Sequence, residues 1–169
     1  MSNSLEATQS IDILGSQIEF KTDFLKETQA YCVSSLIIPA GVTVPLHSHK
    51  DRKTIYITSG TLEVFEQGAW LTLGAGDFFD VQASSKHAFR NLSAHRVAAI
   101  LVTTAAMAVF FSRTGRPTTG APPTPAEVEA FIVAAAKHNF WLGSAMENAA
   151  IGISLRATPK MKRPANMTH

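Results

Sequence analysis

Nine short apolar runs, separated by glycine, proline or polar turns, fill residues 11 to 104. They read IDILGSQIEF, AYCVSSLIIP, VTVPLHSH, TIYITSG, TLEVFEQG, AWLTLG, DFFDVQ, HAFRNLS and RVAAILVTT. Within them, Ile55 and Ile57 alternate with Tyr56 and Thr58, and Leu62 and Val64 alternate with Glu63 and Phe65. Alternation with a period of two places one set of side chains on each face of a strand. Ser59-Gly60, Gln67-Gly68 and Gly74-Ala75-Gly76 supply the turns. Many short strands at such intervals fold as an all-β sandwich or barrel.

His47-Ser48-His49 lies six residues after Gly41, and Gly60 follows. Histidines at i and i+2 on a strand point to one face. The later block GDFFDVQASSKHAFRN, from Gly76 to Asn91, carries His87, which a neighbouring strand could bring to that face. Neutral imidazole ligates zinc, copper, iron or nickel. The pattern therefore places a metal site inside a small β-barrel. His95, His138 and His169 fall outside these blocks and are expected at the surface.

The chain has 169 residues, of which 46% are hydrophobic and 17% charged, as in one compact globule rather than a disordered chain. Fifteen basic and 13 acidic residues leave a net charge of +2, with no basic stripe for nucleic acid. The tail residues Arg156, Lys160, Lys162 and Arg163 read as a solvated terminus. Cys32 is the sole cysteine, so it forms no intrachain disulfide; it reads as a small buried hydrophobe. The opening residues MSNSLEATQS have neither the basic nor the apolar region of a signal peptide. Val97–Phe111 is short for a membrane span and is interrupted by two threonines. A cytoplasmic protein with a small-molecule substrate, and with neither membrane nor nucleic acid as partner, is expected.

The pattern changes after Thr104. TTAAMAVFFSRTGRP predicts a short helix capped by Thr103 or Thr104, with Gly115 past its end and Pro117 as the stop. After the connector GAPPTP, PAEVEAFIVAAAKH predicts a second helix. Thr124 is its N-cap, Pro125 its first residue and Glu127 completes a capping box. Val128, Phe131, Ile132 and Ala135 form an apolar stripe expected to pack on the barrel. The organisation read from these signals is a barrel over 11–104, a helical extension of the same domain over 105–153 and a flexible tail over 154–169.

These residues resemble the cupin superfamily. GVTVPLHSHKDRKTIYITSG is similar to its first motif at Gly41, His47, His49 and Gly60, and GDFFDVQASSKHAFRN to its second at Gly76, Asp77, His87 and Asn91. The C-terminal part is similar to single-domain cupins of the quercetin-dioxygenase-like kind. The resemblance implies a double-stranded β-helix (jelly-roll) barrel with the C-terminal helices packed outside. It also implies a divalent transition metal (iron, nickel, manganese, copper or zinc) on His47, His49 and His87. The chain departs from the family at three positions. Lys53 stands where the first motif has a glutamate ligand, and Gln82 and Ser84 replace the proline and glycine of the second. A protonated ammonium ligates no metal.

Losing the carboxylate raises the positive charge at the metal and favours enolate, carboxylate or phenolate ligands. Lys53 is the candidate catalytic residue. It either reaches the pocket, where it adds to that pull or acts as a base, or turns to solvent on the loop KDRK. Strand parity makes Ile55, Ile57 and Phe89 candidate pocket residues; Phe78, Phe79 and Trp70 are nearby aromatics with core packing as the default reading. Asp51 and Glu63 are the nearest acids that could substitute as a fourth ligand. Three functions remain open on sequence. They are a dioxygenase-like oxidoreductase acting on a small enolic, phenolic or keto-acid substrate, a non-redox cyclase, isomerase or lyase, and a non-catalytic anion-binding module. No helix pair precedes the barrel, which argues against a transcription factor. The resemblance also implies a homodimer paired through the early strands expected in residues 11 to 38.

Overall fold

The computed structural model describes residues 10–25 and 30–155. The expectations placed on the opening segment, on the basic tail and on His169 lie outside the described residues, save for Ser10. The strands in the first half are β1 (Ser10–Ile13), β2 (Ser16–Phe20), β3 (Tyr31–Ile38), β4 (Thr43–Ser48), β5 (Lys53–Ser59) and β6 (Leu62–Glu66). They are followed by β7 (Ala69–Leu73), β8 (Phe78–Val81), β9 (His87–Arg90), β10 (Val97–Thr104) and α1 (Ala105–Thr114). The last part comprises β11 (Arg116–Pro117), α2 (Pro125–Lys137), β12 (Trp141–Leu142) and α3 (Ala145–Ala150).

Every one of the nine apolar runs forms a strand. The first divides into β1 and β2 because Leu14 and Gly15 both take positive φ, 51° and 93°. That is the two-residue turn whose twist matches a right-twisted hairpin. Two antiparallel sheets result, in the orders β11-β1-β2-β3-β10-β5-β8 and β12-β4-β9-β6-β7. The jelly-roll architecture implied by the motifs is therefore present. Its core lies between the sheets, where Leu36, Ile38, Ile55, Ile57, Ala99 and Leu101 of one face Leu62, Val64 and Phe89 of the other. Gly60 has φ +87°, and a Cβ there would stand 2.9 Å from the Arg96 carbonyl oxygen. Only glycine meets both constraints at this hairpin.

Both long helices begin at their expected caps. Thr104 accepts a hydrogen bond from the Met107 amide, and Thr124 with Glu127 forms the capping box of α2. Met107, Phe110 and Ala135 join the helices in a small cluster of their own. The α2 stripe does not pack wholly on the barrel. Ala135 is buried, but Val128, Phe131 and Ile132 border an open cavity, because the surface beneath that turn is a mouth rather than a sheet. Nor is the region after Thr104 only helical, since β11 pairs with β1 and β12 with β4. The segment around α3 lies on the outer face of the five-stranded sheet, covering Leu46 and Ala88 with Trp141, Ile151 and Ile153. No helix among the described residues is long and apolar enough to cross a membrane. The apolar stretch Val97–Phe111 divides between β10 and α1.

Candidate metal centre

Pro45 cannot donate to a sheet ladder, and a proline inside a strand is tolerated at a bulge. The β4–β9 register slips here, between Val44 and His47. This bulge sets His47 directly opposite His87. It also frees the Leu46 amide from the ladder, and that amide donates instead to Asn148 Oδ1 at 2.9 Å. The buried Asn148 donates its own amide hydrogens to the Gly143 and Ser144 carbonyls. One side chain of α3 thus holds the irregular part of β4 in place. His49 follows β4 in the loop to β5; its carbonyl accepts from the Ser84 amide at 2.7 Å.

The three histidines converge. One ligand atom from each of His47, His49 and His87 lies within 4.8 Å of the others, and no carboxylate joins the cluster among the described residues. Each Nδ1 meets a backbone carbonyl: His47 with Pro45 at 2.7 Å, His49 with Asp51 at 2.7 Å and His87 with Ser85 at 2.8 Å. A carbonyl only accepts, so each Nδ1 carries the proton and each Nε2 keeps a lone pair. The Nε2 atoms of His49 and His87 are buried without a hydrogen-bond partner. Buried polar atoms left in this state are costly. A cation within the triangle would satisfy them, so the residues fit the metal that the fold implies.

Burial keeps the rings neutral. It holds His47 well below the ordinary histidine value, with the Lys53 charge adding to the effect. It lowers His49 to about 4, with Lys53 second, and it pushes His87 down in the same direction. Phe140, with its ring centroid 5.2 Å from that of His49, and Phe79, at 6.1 Å from His87, contribute to the apolar surround.

A cavity of about 500 Å³ opens from His47 and His49. Lys53 lines it and is 6% exposed, so the solvent-facing alternative does not hold. Its Nζ lies 5.5 Å from the centre of the Phe89 ring, and burial lowers its pKa to about 7. Ile55 and Phe89 line the cavity as strand parity implies. Ile57 does not: it is fully buried in the core between the sheets. Phe79 is core, Phe78 is exposed, and Trp70 packs on the outer face with its Nε1 donating to the Ile151 carbonyl. Asp51 accepts from Thr104 Oγ1, and Glu63 pairs with Arg90 at 2.7 Å, so neither serves as a fourth ligand. His95 and His138 are at the surface.

Much of the remaining wall comes from residues that strand parity did not single out. Met107 and Phe111 enter from α1, Val128, Phe131 and Ile132 from α2, and Phe140, Leu142 and Leu155 from beyond it. Leu155 belongs to the segment read from sequence as tail. The helix stripes were visible, but nothing in them told a cavity wall from a core contact.

Two antiparallel sheets closed around an inward-facing histidine triad define a jelly-roll protein with a candidate metal site. Residues 35–103 of the chain match the Cupin domain family model. No curated protein matches the chain. Solved structures of similar fold include the polyketide cyclase RemF from Streptomyces resistomycificus, 13% identical, with a TM-score of 0.54 over 62% of this chain and 80% of that one. An RmlC-like cupin from Shewanella frigidimarina is 21% identical, with a TM-score of 0.51 over 63% of this chain and 91% of that one. The cupin domain of Schizosaccharomyces pombe Cnp3 is 15% identical, with a TM-score of 0.50 over 67% and 80%. At these identities the likeness is one of fold.

Proposed function

We propose that this chain is a metal-dependent enzyme of dioxygenase type that binds a small enolic, phenolic or keto-acid substrate as its anion. The carrying observation is the convergence of three neutral imidazoles, with no carboxylate among the described residues joining them, beside an apolar cavity that His47, His49 and Lys53 line. His47, His49 and His87 would hold a divalent transition metal, which supplies Lewis acidity toward a substrate oxygen and open positions for a second ligand. The chain's own part is to orient and to exclude water. The three carbonyl partners fix the rings, and Ile55, Phe89 and Leu101 keep the substrate's body dry. Lys53 adds positive charge where the substrate's negative charge develops.

A second reading, a non-redox cyclase, isomerase or lyase, is favoured by one feature of Lys53. An amine brought to about 7 by burial is poised as a general base. Metal content decides first, measured by plasma mass spectrometry on protein purified without a nickel column, beside His49→Ala. About one ion per chain, lost in the variant, is expected. Substrate-dependent oxygen consumption by the reloaded protein then supports the dioxygenase reading. Turnover without oxygen consumption supports the second, and failure to bind iron, nickel, manganese, copper or zinc overturns both. Assembly as a homodimer through the early strands is proposed alongside, with sedimentation as its measure.

A further inference from the structure

Lys53 is the only charged side chain among the described residues lining the cavity. It begins β5 and projects inward beside Ile55, toward the same space as His47 and His49. The acids nearest in sequence or ladder are engaged elsewhere. Asp51 is held by Thr104, and Asp80 by Arg52 and Thr54, both at 2.7 Å. Among the described residues the Lys53 side chain forms no ion pair or hydrogen bond, and its ammonium lies 5.5 Å from the centre of the Phe89 ring. A nine-tenths buried ammonium without a counter-ion is a costly arrangement, and it is relieved by an anion brought from outside.

We infer that Lys53 is the seat for a substrate carboxylate, so that the substrate is a 2-oxo or 3-oxo acid with an apolar remainder. The acid group would meet the Lys53 ammonium, the neighbouring oxygen would face the cation that the three histidines would hold, and the remainder would lie along Ile18, Leu36, Leu101, Met107, Phe111 and Phe131. A single cation in an apolar cavity matches a singly charged group better than a phosphate dianion, whose second charge would stay unpaired. This narrows the substrate class of the proposed enzyme and rests on that reading for the placement of the oxo group. The carboxylate seat itself needs no metal.

The test uses chelator-treated full-length protein and two probes of equal length, 2-oxooctanoate and the neutral ketone 2-octanone, with Kd measured by calorimetry at pH 6.5. The wild-type protein is expected to bind the acid at least tenfold more tightly than the ketone. In Lys53→Met and Lys53→Gln the ratio of the two constants is expected to fall to about one. The ratio is insensitive to general loosening of the apolar walls, which weakens both probes together. A wild-type ratio near one, or a ratio unchanged in both variants, overturns the inference. Because no metal is present, that result is independent of the metal-content experiment, and either reading can fail alone.

Discussion

His47 and His87 are cross-strand partners in the β4–β9 ladder, with ring centroids 4.1 Å apart. The pairing exists because the bulge at Pro45 shifts the register between Val44 and His47. Without the slip, His87 would face a different residue of β4, and a strand moved by one residue turns its side chains to the other face. The candidate site thus depends on an irregularity in the sheet as much as on its histidines.

The neutral state of these rings should make metal binding acid-tolerant. The ligating Nε2 must be free of a proton to bind, and His49 takes up its second proton with a midpoint of about 4, against 6.5 for a free imidazole. Cobalt absorbance followed on stepwise acidification should show release well below pH 6.5. Release at or above that value would mean rings as basic as exposed ones.

Lys53 should make the metal-free protein more stable in mild alkali. Its folded value of about 7 lies below the unfolded 10.5, so between these limits the unfolded chain holds a proton that the folded chain lacks. Stability therefore rises with pH across that window, and the full cost is borne below about pH 7. Urea midpoints should rise from pH 7 to 10 in the wild type and stay flat in Lys53→Met. At pH 6.5 the variant should be the more stable by a few kcal/mol, on the order of the burial cost of the charge.

Ser84 has φ +63° where the family motif has glycine, and its amide holds the His49 carbonyl. A side chain in the left-handed region costs roughly 1 kcal/mol. Ser84→Gly should therefore stabilise the fold by about 0.5 kcal/mol net of the added freedom of the unfolded chain. A fall in thermal midpoint would show that the serine side chain contributes something beyond its backbone cost.

Asn148→Ala should be severe. The substitution leaves the buried Leu46 amide without its acceptor and the Gly143 carbonyl without its donor, while the Ser144 carbonyl keeps the Asn148 backbone amide. A loss of about 2–4 kcal/mol is expected in urea denaturation. Metal affinity should fall with it, because Leu46 adjoins His47. A substitution tolerated within about 0.5 kcal/mol would show that the bulge holds itself.

The strands and the histidine triad were legible because period-two alternation and the spacing of Gly41, His47, His49 and Gly60 are local signals. The burial of Lys53 was not, since a lysine in a charged loop looks the same whether its stem turns in or out. Ile57 shares a face with Lys53 and Ile55, yet parity reports the face and not the depth, and it lies in the core. Asn148 gave no signal, because its role arises from a bulge on a strand 102 residues away.

The division of the cavity wall has a practical consequence. The histidines and Lys53 ride on or beside barrel strands, whereas Val128, Phe131, Ile132, Phe140 and Leu142 ride on chain added after the barrel is complete. Under the proposed function, selectivity for the far end of the substrate would then be set separately from the histidine end. Exchanging the α2 residues Val128, Phe131 and Ile132 would reshape that part of the cavity while leaving Phe140 on His49 and the pairing of Leu142 with His47 in place.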